Sequence, residues 1–181
     1  LIVTLIYMQS NGLIERRQQE LKGLVDTAQA LIAAQHDKAK AGKISEADAK
    51  AVALENISKL RYNGDNYFWV NDLHPKMVMH PFKPELNGTD VTGNKDPNGK
   101  ALFVEFVKTA QKSGSGFVSY MWPKPGFDQP VEKLSFVTLF QPWGWIIGTG
   151  VYNDDLVAER NHTILVAAIC GGLVLLMVGG I

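Results

Sequence analysis

The fold is decided where a helical pattern gives way to a strand, in the sequence NGDNYFWVND at residues 63–72. Its centre, Tyr67 to Val70, is a run of aromatic and β-branched residues, the types that are enriched in strands. Turn-forming Asn, Gly and Asp residues bound the run on both sides. A second strand is predicted at Met77–His80, ending at Pro81, and the short connection between the two strands indicates an antiparallel hairpin.

Two helices are predicted before this hairpin. Apolar residues recur at intervals of three and four with no strong breaker before Gly42, which predicts a helix over about residues 4–40. Its apolar stripe consists of Ile14, Leu21, Leu24, Ala28 and Leu31. Ser45-Glu46-Ala47-Asp48 then has a capping-box pattern, so a second helix begins there. The stripe of the first helix can pack on a sheet or on the same helix of a second subunit, and both remain open.

One more helix and three more strands are predicted after the hairpin. Asp96-Pro97 has the N-cap and first-turn pattern of a helix that stops near Gly114. The strands are predicted over residues 116–122, 131–140 and 145–152. Short turns between strands make them antiparallel, and the long first helix is the element large enough to cover the sheet. The predicted fold class is therefore α+β, with a central antiparallel sheet of about five strands.

Uncharged ends predict a membrane protein. Residues 163–181 contain no charge, and about 20 apolar residues suffice to cross a bilayer, so they predict a second transmembrane helix. Residues 1–9 are apolar but shorter and predict the truncated end of a first transmembrane helix. Residues 10–158 would then form the sensor domain between the two, although charge bias does not assign the orientation. The 18 basic and 18 acidic residues balance, which argues against a nucleic acid partner.

Cations at strand positions indicate an anion site. His80 ends an apolar strand and Lys133 begins another, where a buried charge is costly unless it meets a counter-ion. A carboxylate would satisfy both through charge-assisted hydrogen bonds. Two aromatic pairs at two-residue spacing each share a strand face and would suit a short carbon tail. These pairs are Tyr67 with Trp69 and Tyr120 with Trp122.

Each candidate also has a purely structural interpretation. The aromatic residues can be core packing, or Tyr67 and Trp69 can face the long helix. His80 can be a core histidine whose ring is satisfied by the backbone, and Lys133 can be a solvated strand end. Arg61 is a further candidate for ligand binding, although it can equally cap the preceding helix. No nucleophile–base motif, zinc-protease motif or phosphate-binding glycine loop occurs, so neither an enzyme nor a cofactor is predicted. An EF-hand-like spacing from Asn94 is interrupted by Pro97, so no metal site is predicted.

Five motifs occur in order along the chain. They are RYNGDNYFWVND at 61–72, MVMHP at 77–81, KDPNGK at 95–100, YMWPKPG at 120–126 and WGWIIGTGVY at 143–152. Together they resemble the single Cache domain of bacterial methyl-accepting chemotaxis receptors, over roughly residues 15–155. The resemblance implies a PAS-like sheet packed on a long N-terminal helix, placed in the periplasm between two helices of the inner membrane.

The resemblance also implies a function. Members of this family bind small organic acids such as acetate, propionate or pyruvate and pass the signal to a cytoplasmic module, which here would lie beyond residue 181. A ligand would favour one of two arrangements of the membrane helices, and the stripe of the first helix favours a homodimer. The same input domain on a sensor histidine kinase or diguanylate cyclase, and a dimerisation module that binds nothing, are the alternatives. Which carboxylate is bound does not follow from the sequence.

Overall fold

In the computed structural model, which describes residues 2–155 and Leu165, one antiparallel sheet lies between helices on both faces. The helices are α1 (Ile2–Lys40), α2 (Glu46–Lys59) and α3 (Leu102–Ser113). The strands are β1 (Arg61–Tyr62), β2 (Asn66–Asp72), β3 (Met77–Met79), β4 (Ser115–Pro123), β5 (Pro130–Phe140) and β6 (Trp145–Tyr152). The predicted α+β class, with a long N-terminal helix and an antiparallel sheet, is confirmed.

The sheet has the strand order β1-β2-β6-β5-β4, with β3 paired to the side of β2. The two-residue strand β1 is the addition to the five strands predicted. The register places Tyr120 of β4 opposite Lys133 of β5, and Lys133 opposite Tyr152 of β6. Because residues directly opposite each other project to the same face, these three side chains form a row across the sheet.

Helices α1 and α2 cover one face of the sheet. The predicted stripe of α1 is only partly correct: Leu21 and Ala28 are fully buried, whereas Ile14 and Leu31 are 42% and 38% exposed. The buried line runs instead through Val25 and Ile32, each one residue along from a predicted stripe position. Successive residues of a helix point about 100° apart, so the face of α1 that packs on the sheet is rotated from the face that the periodicity predicted.

Helix α3 covers the opposite face. Its buried side chains are Leu102, Phe103, Phe106, Val107 and Ala110. The predicted helix start at Asp96-Pro97 is wrong, because α3 begins at Leu102. One carboxylate oxygen of Asp96 accepts hydrogen bonds from the backbone N–H groups of Asn98 and Lys100, and the other accepts from Met121 N–H at 3.0 Å. Asp96 therefore fastens a loop to β4 and does not cap a helix.

The two transmembrane helices expected at the ends of the chain stay a prediction. Among the described residues, no helix combines the length and the apolar character that crossing a bilayer requires. The predicted span at 163–181 lies outside the described residues except for Leu165. The start of α2 is confirmed, since the Ser45 hydroxyl accepts a hydrogen bond from Asp48 N–H at 3.0 Å.

Candidate ligand-binding site

Two cavities adjoin each other on the α3 face of the sheet. The outer cavity, of about 290 Å³, lies between the segment after β3 and the β4–β5 turn. The inner cavity, of about 10 Å³, has room for a single water molecule and lies beneath α3. The residues that line both cavities are Tyr67, His80 and Trp122. The remaining inner lining is Trp69, Leu102, Phe103, Phe106 and Tyr120.

Lys133 is a cation held in the interior without an anionic partner. It is 0% exposed, and its Nζ lies 4.1 Å from the ring centroid of Tyr67, 4.8 Å from that of Tyr152 and 5.6 Å from that of Trp69. Nζ donates a long hydrogen bond of 3.4 Å to the Tyr152 hydroxyl. Within the described part of the chain, no carboxylate forms an ion pair with it.

The burial of Lys133 has an electrostatic cost. Burial lowers the pKa of its ammonium group to about 7, because the charged form loses its hydration. The aromatic rings offer cation–π attraction, which offsets only part of that loss. The interpretation of Lys133 as a solvated strand end is therefore wrong. A carboxylate placed against Nζ would compensate the charge.

His80 supplies a neutral donor. Its ring is 2% exposed, and Nδ1 accepts hydrogen bonds from the backbone N–H groups of Phe82 at 3.2 Å and Lys83 at 3.0 Å. A ring nitrogen that accepts cannot carry the proton, so Nε2 carries it and is a donor. Burial, with the positive charges of Lys133 and Lys83, lowers the pKa of His80 to about 3. The prediction that His80 serves as a cation is therefore wrong.

The four predicted aromatic residues all lie on the α3 side of the sheet, so Tyr67 and Trp69 do not face the long helix. Their indole N–H groups are already used within the protein. Trp122 Nε1 donates to the Tyr67 hydroxyl at 2.9 Å, and Trp69 Nε1 donates to Asn71 Oδ1 at 3.1 Å. Because Trp122 and Tyr67 line both cavities, their hydrogen bond lies at the boundary between the inner and outer cavities.

Trp69 fits against the sheet because its cross-strand neighbour is a glycine. Gly148 of β6 is paired with Trp69 of β2. A Cβ atom at position 148 would lie 2.2 Å from Cζ2 of the indole, far inside van der Waals contact. The indole therefore occupies the space beside the glycine backbone and forms part of the wall of the inner cavity.

Arg61 does not belong to this group of residues. Its Nη1 donates to the backbone oxygens of Ser58 at 2.8 Å and Leu60 at 2.7 Å, at the end of α2. Its guanidinium group lies 4.7 Å from the ring centroid of Phe82, which lines the outer cavity. The helix-capping interpretation of Arg61 is therefore the one that the structure supports.

Tyr152 is a further residue in contact with the buried cation, and no sequence motif singles it out. Its hydroxyl accepts from Lys133 Nζ and donates to the backbone oxygen of Pro123 at 3.0 Å. It thereby links the buried cation to the β4–β5 turn. The strand register would have revealed it, because Tyr152 lies directly opposite Lys133.

The fold and the site define a class of α+β domain in which a long helix packs on one antiparallel sheet and a buried cation adjoins an aromatic cavity. Residues 1–168 match the Cache domain family, and the chain belongs to that family. A solved periplasmic sensor domain of a chemotaxis protein is 53% identical, with a TM-score of 0.75, over 77% of this chain and 96% of that chain. A Cache chemosensory domain described for its carboxylic acid recognition is 44% identical, with a TM-score of 0.76, over 78% of this chain and 97% of that one.

Two curated relatives show the proteins in which such domains occur. The methyl-accepting chemotaxis protein McpP of Pseudomonas putida is 43% identical over 96% of this chain and 32% of its own length. The sensor histidine kinase MctS of Rhizobium johnstonii is 35% identical over 82% of this chain and 31% of its own length. The chain therefore spans about a third of the length of these relatives.

Proposed function

We propose that this domain is the periplasmic sensor of a chemotaxis receptor of the inner membrane and that it binds a short carboxylate such as acetate, propionate or pyruvate. The observation that carries the proposal is Lys133, a fully buried cation whose described neighbours are all neutral. A bound carboxylate would supply the missing charge. The carboxylic acid recognition described for a relative that is 44% identical supports the same ligand class.

The surrounding residues favour a small ligand with a single carboxylate. The groups lining the inner cavity that can donate to a carboxylate are neutral: the Tyr120 hydroxyl and Nε2–H of His80. Apolar rings of Trp69, Phe103 and Phe106 would surround a carbon tail. Because the inner cavity has room for only one water molecule, the ligand would have to displace the Trp122–Tyr67 hydrogen bond, and each added carbon raises that cost.

Calorimetric titration of the chain with acetate, propionate and pyruvate tests this function. Lys133→Met keeps the length of the side chain and removes the charge. It should weaken binding by roughly 10- to 150-fold, the value of a hydrogen bond to a charged group, about 1.5–3 kcal/mol. Lys108→Met is the matched control, because Lys108 is an exposed lysine paired with Glu105 at 2.8 Å. No binding of any short carboxylate, or equal affinity for wild type and Lys133→Met, contradicts the proposal.

The signal would pass to the membrane as a shift between two helix arrangements in a homodimer. A ligand moves such an equilibrium only by its difference in affinity for the two states. The exposed apolar residues Ile14 and Leu31 of α1 support a helix–helix contact between two copies. Analytical ultracentrifugation of wild type and Leu31→Glu with and without propionate tests this. A monomer under every condition would show that α1 packs only on its own sheet.

A second receptor type has support from one relative. The histidine kinase MctS matches over 82% of this chain, so the same input domain can precede a kinase output in place of a methyl-accepting one. Sequencing the gene beyond the codon for residue 181 decides between these outputs. In either case we propose a non-enzymatic role for the domain, which incubation with ester and amide substrates would refute by showing turnover.

A further inference from the structure

An ion-pair cluster connects the mouth of the outer cavity with the segment that follows the last strand. Lys124, in the turn between β4 and β5, lines the outer cavity. Its Nζ lies 2.8 Å from Asp154 Oδ2 and 2.7 Å from Asp155 Oδ1. These two aspartates follow β6 closely, because only Asn153 separates them from Tyr152, the last residue of that strand. One lysine thus holds the turn against the residues through which the chain leaves the sheet.

The same cluster is joined to the buried cation. Lys124 Nζ lies 5.4 Å from the centroid of the Tyr152 ring, and the Tyr152 hydroxyl donates to the backbone oxygen of Pro123, the neighbour of Lys124. That hydroxyl also accepts from Lys133. Contacts therefore run without a gap from Lys133 through Tyr152 and the turn to Asp154 and Asp155.

The β4–β5 turn begins next to the boundary between the two cavities. Trp122, whose hydrogen bond to Tyr67 lies at the boundary of the two cavities, directly precedes Pro123 and Lys124. A ligand that displaces Trp122 would therefore act next to the start of the turn. The residue at the tip of the turn, Phe127, is 69% exposed. A shift of the turn would be carried to whatever the turn is fastened to.

We propose that Lys124 is a positioning residue that transmits occupation of the carboxylate site to Asn153–Asp155. The inference rests on the proposed function and adds to it the route by which the ligand acts on the chain after the sheet. Lys124 is 25% exposed and the two aspartates are 52% and 55% exposed, so the pairs are partly screened by water. Pairs of this kind shift an equilibrium by at most about fivefold, which a ligand can overcome.

A second connection offers a control. Asn153 Nδ2 donates to Glu132 Oε2 at 3.0 Å, which also ties this segment to β5 but bypasses the turn. Removal of that bond with Asn153→Ala should leave the ligand response in place. Lys124→Met, and the double variant Asp154→Asn with Asp155→Asn, should each abolish it. Combining Lys124→Met with Asp154→Asn and Asp155→Asn should have no larger effect than either variant alone, because these substitutions break the same ion pairs.

Amide hydrogen exchange of the chain, followed with and without propionate, measures this response. In wild type, propionate should slow exchange at residues 153–155 together with the lining of the inner cavity. In Lys124→Met the cavity lining should still be protected, with affinity within about fivefold of wild type, while the protection at 153–155 is lost. Protection at 153–155 that persists in Lys124→Met, or that disappears in Asn153→Ala, overturns the inference.

A ligand-free measurement separates this inference from the carboxylate proposal. Without propionate, the double aspartate variant should expose the amides of Lys124, Gly126 and Phe127 to faster exchange than wild type, because the turn has lost its attachment. Unchanged exchange there overturns the role of Lys124 whatever the ligand is. Absence of any propionate effect in wild type, with the turn loosened in the variant, contradicts only the ligand class.

Discussion

Binding of a carboxylate should weaken as the pH rises through neutrality. The reason is that the buried ammonium group of Lys133, with its pKa lowered to about 7, is protonated in only part of the ligand-free molecules. A carboxylate pairs with the charged form, and its binding would raise the pKa of Lys133 again. Each molecule in which Lys133 is neutral must therefore take up a proton when it binds.

The magnitude follows from the titration curve. With a pKa of about 7, the protonated fraction of the ligand-free domain falls from about nine-tenths at pH 6 to about one-tenth at pH 8. Affinity should therefore fall about tenfold between pH 6 and pH 8, and about tenfold again by pH 9. Proton uptake on binding should rise from about 0.1 per ligand at pH 6 to about 0.9 at pH 8.

Titration calorimetry with propionate in two buffers of different ionisation enthalpy measures both quantities at once. His80→Gln is the control, because the pKa of His80, lowered to about 3, keeps that ring neutral over the whole range. The slope should be the same in the control as in wild type. Affinity that is independent of pH, with no proton uptake at pH 8, would refute the argument from burial. A slope that vanishes in His80→Gln would assign the titration to the histidine.

Three further outcomes are expected. Ligand-free Lys133→Met should be more stable than wild type at pH 6, by up to roughly 4–5 kcal/mol. In the unfolded chain Lys133 has the usual pKa of 10.5, so between about pH 7 and 10.5 the unfolded state binds more protons than the folded state, and wild type gains stability as the pH rises. Urea unfolding should therefore show a smaller difference between the two proteins at pH 10 than at pH 6. Tyr152→Phe should lower ligand affinity about fivefold and stability by about 1 kcal/mol, because the hydrogen bond to Pro123 is lost; full affinity by calorimetry would remove Tyr152 from the site. Gly148→Ala should destabilise the domain by about 1–3 kcal/mol in thermal unfolding, because the added methyl group clashes with Trp69. Gly23→Ala is the control: no atom lies within 4 Å of its added methyl group in α1, so it should stabilise the domain by up to about 1 kcal/mol.

Several parts of the site followed from local pattern. Side chains two residues apart in a strand share a face, so Tyr67 and Trp69 were correctly paired, as were Tyr120 and Trp122. The cost of burying a charge singled out Lys133 before its surroundings were known. Arg61 was chosen on charge alone, and charge says nothing about direction. In the structure the Arg61 side chain lies at the end of α2, where backbone oxygens accept its hydrogen bonds.

The sequence by itself determined the main helices and strands and their order, although not β1 or the start of α3, because strand and helix periodicities are properties of neighbouring residues. It also determined the α+β class, since short turns between strands leave only antiparallel pairing. The tertiary structure decided which sheet face carries the cavity, and that Lys133 has no anionic partner among the described residues. It decided as well that His80 is neutral, because Nδ1 meets the backbone N–H groups of Phe82 and Lys83. The charge state of a side chain and its hydrogen-bond partners depend on groups that only folding brings within a few ångströms. Tyr152, for example, meets Lys133, which lies 19 residues away in the chain.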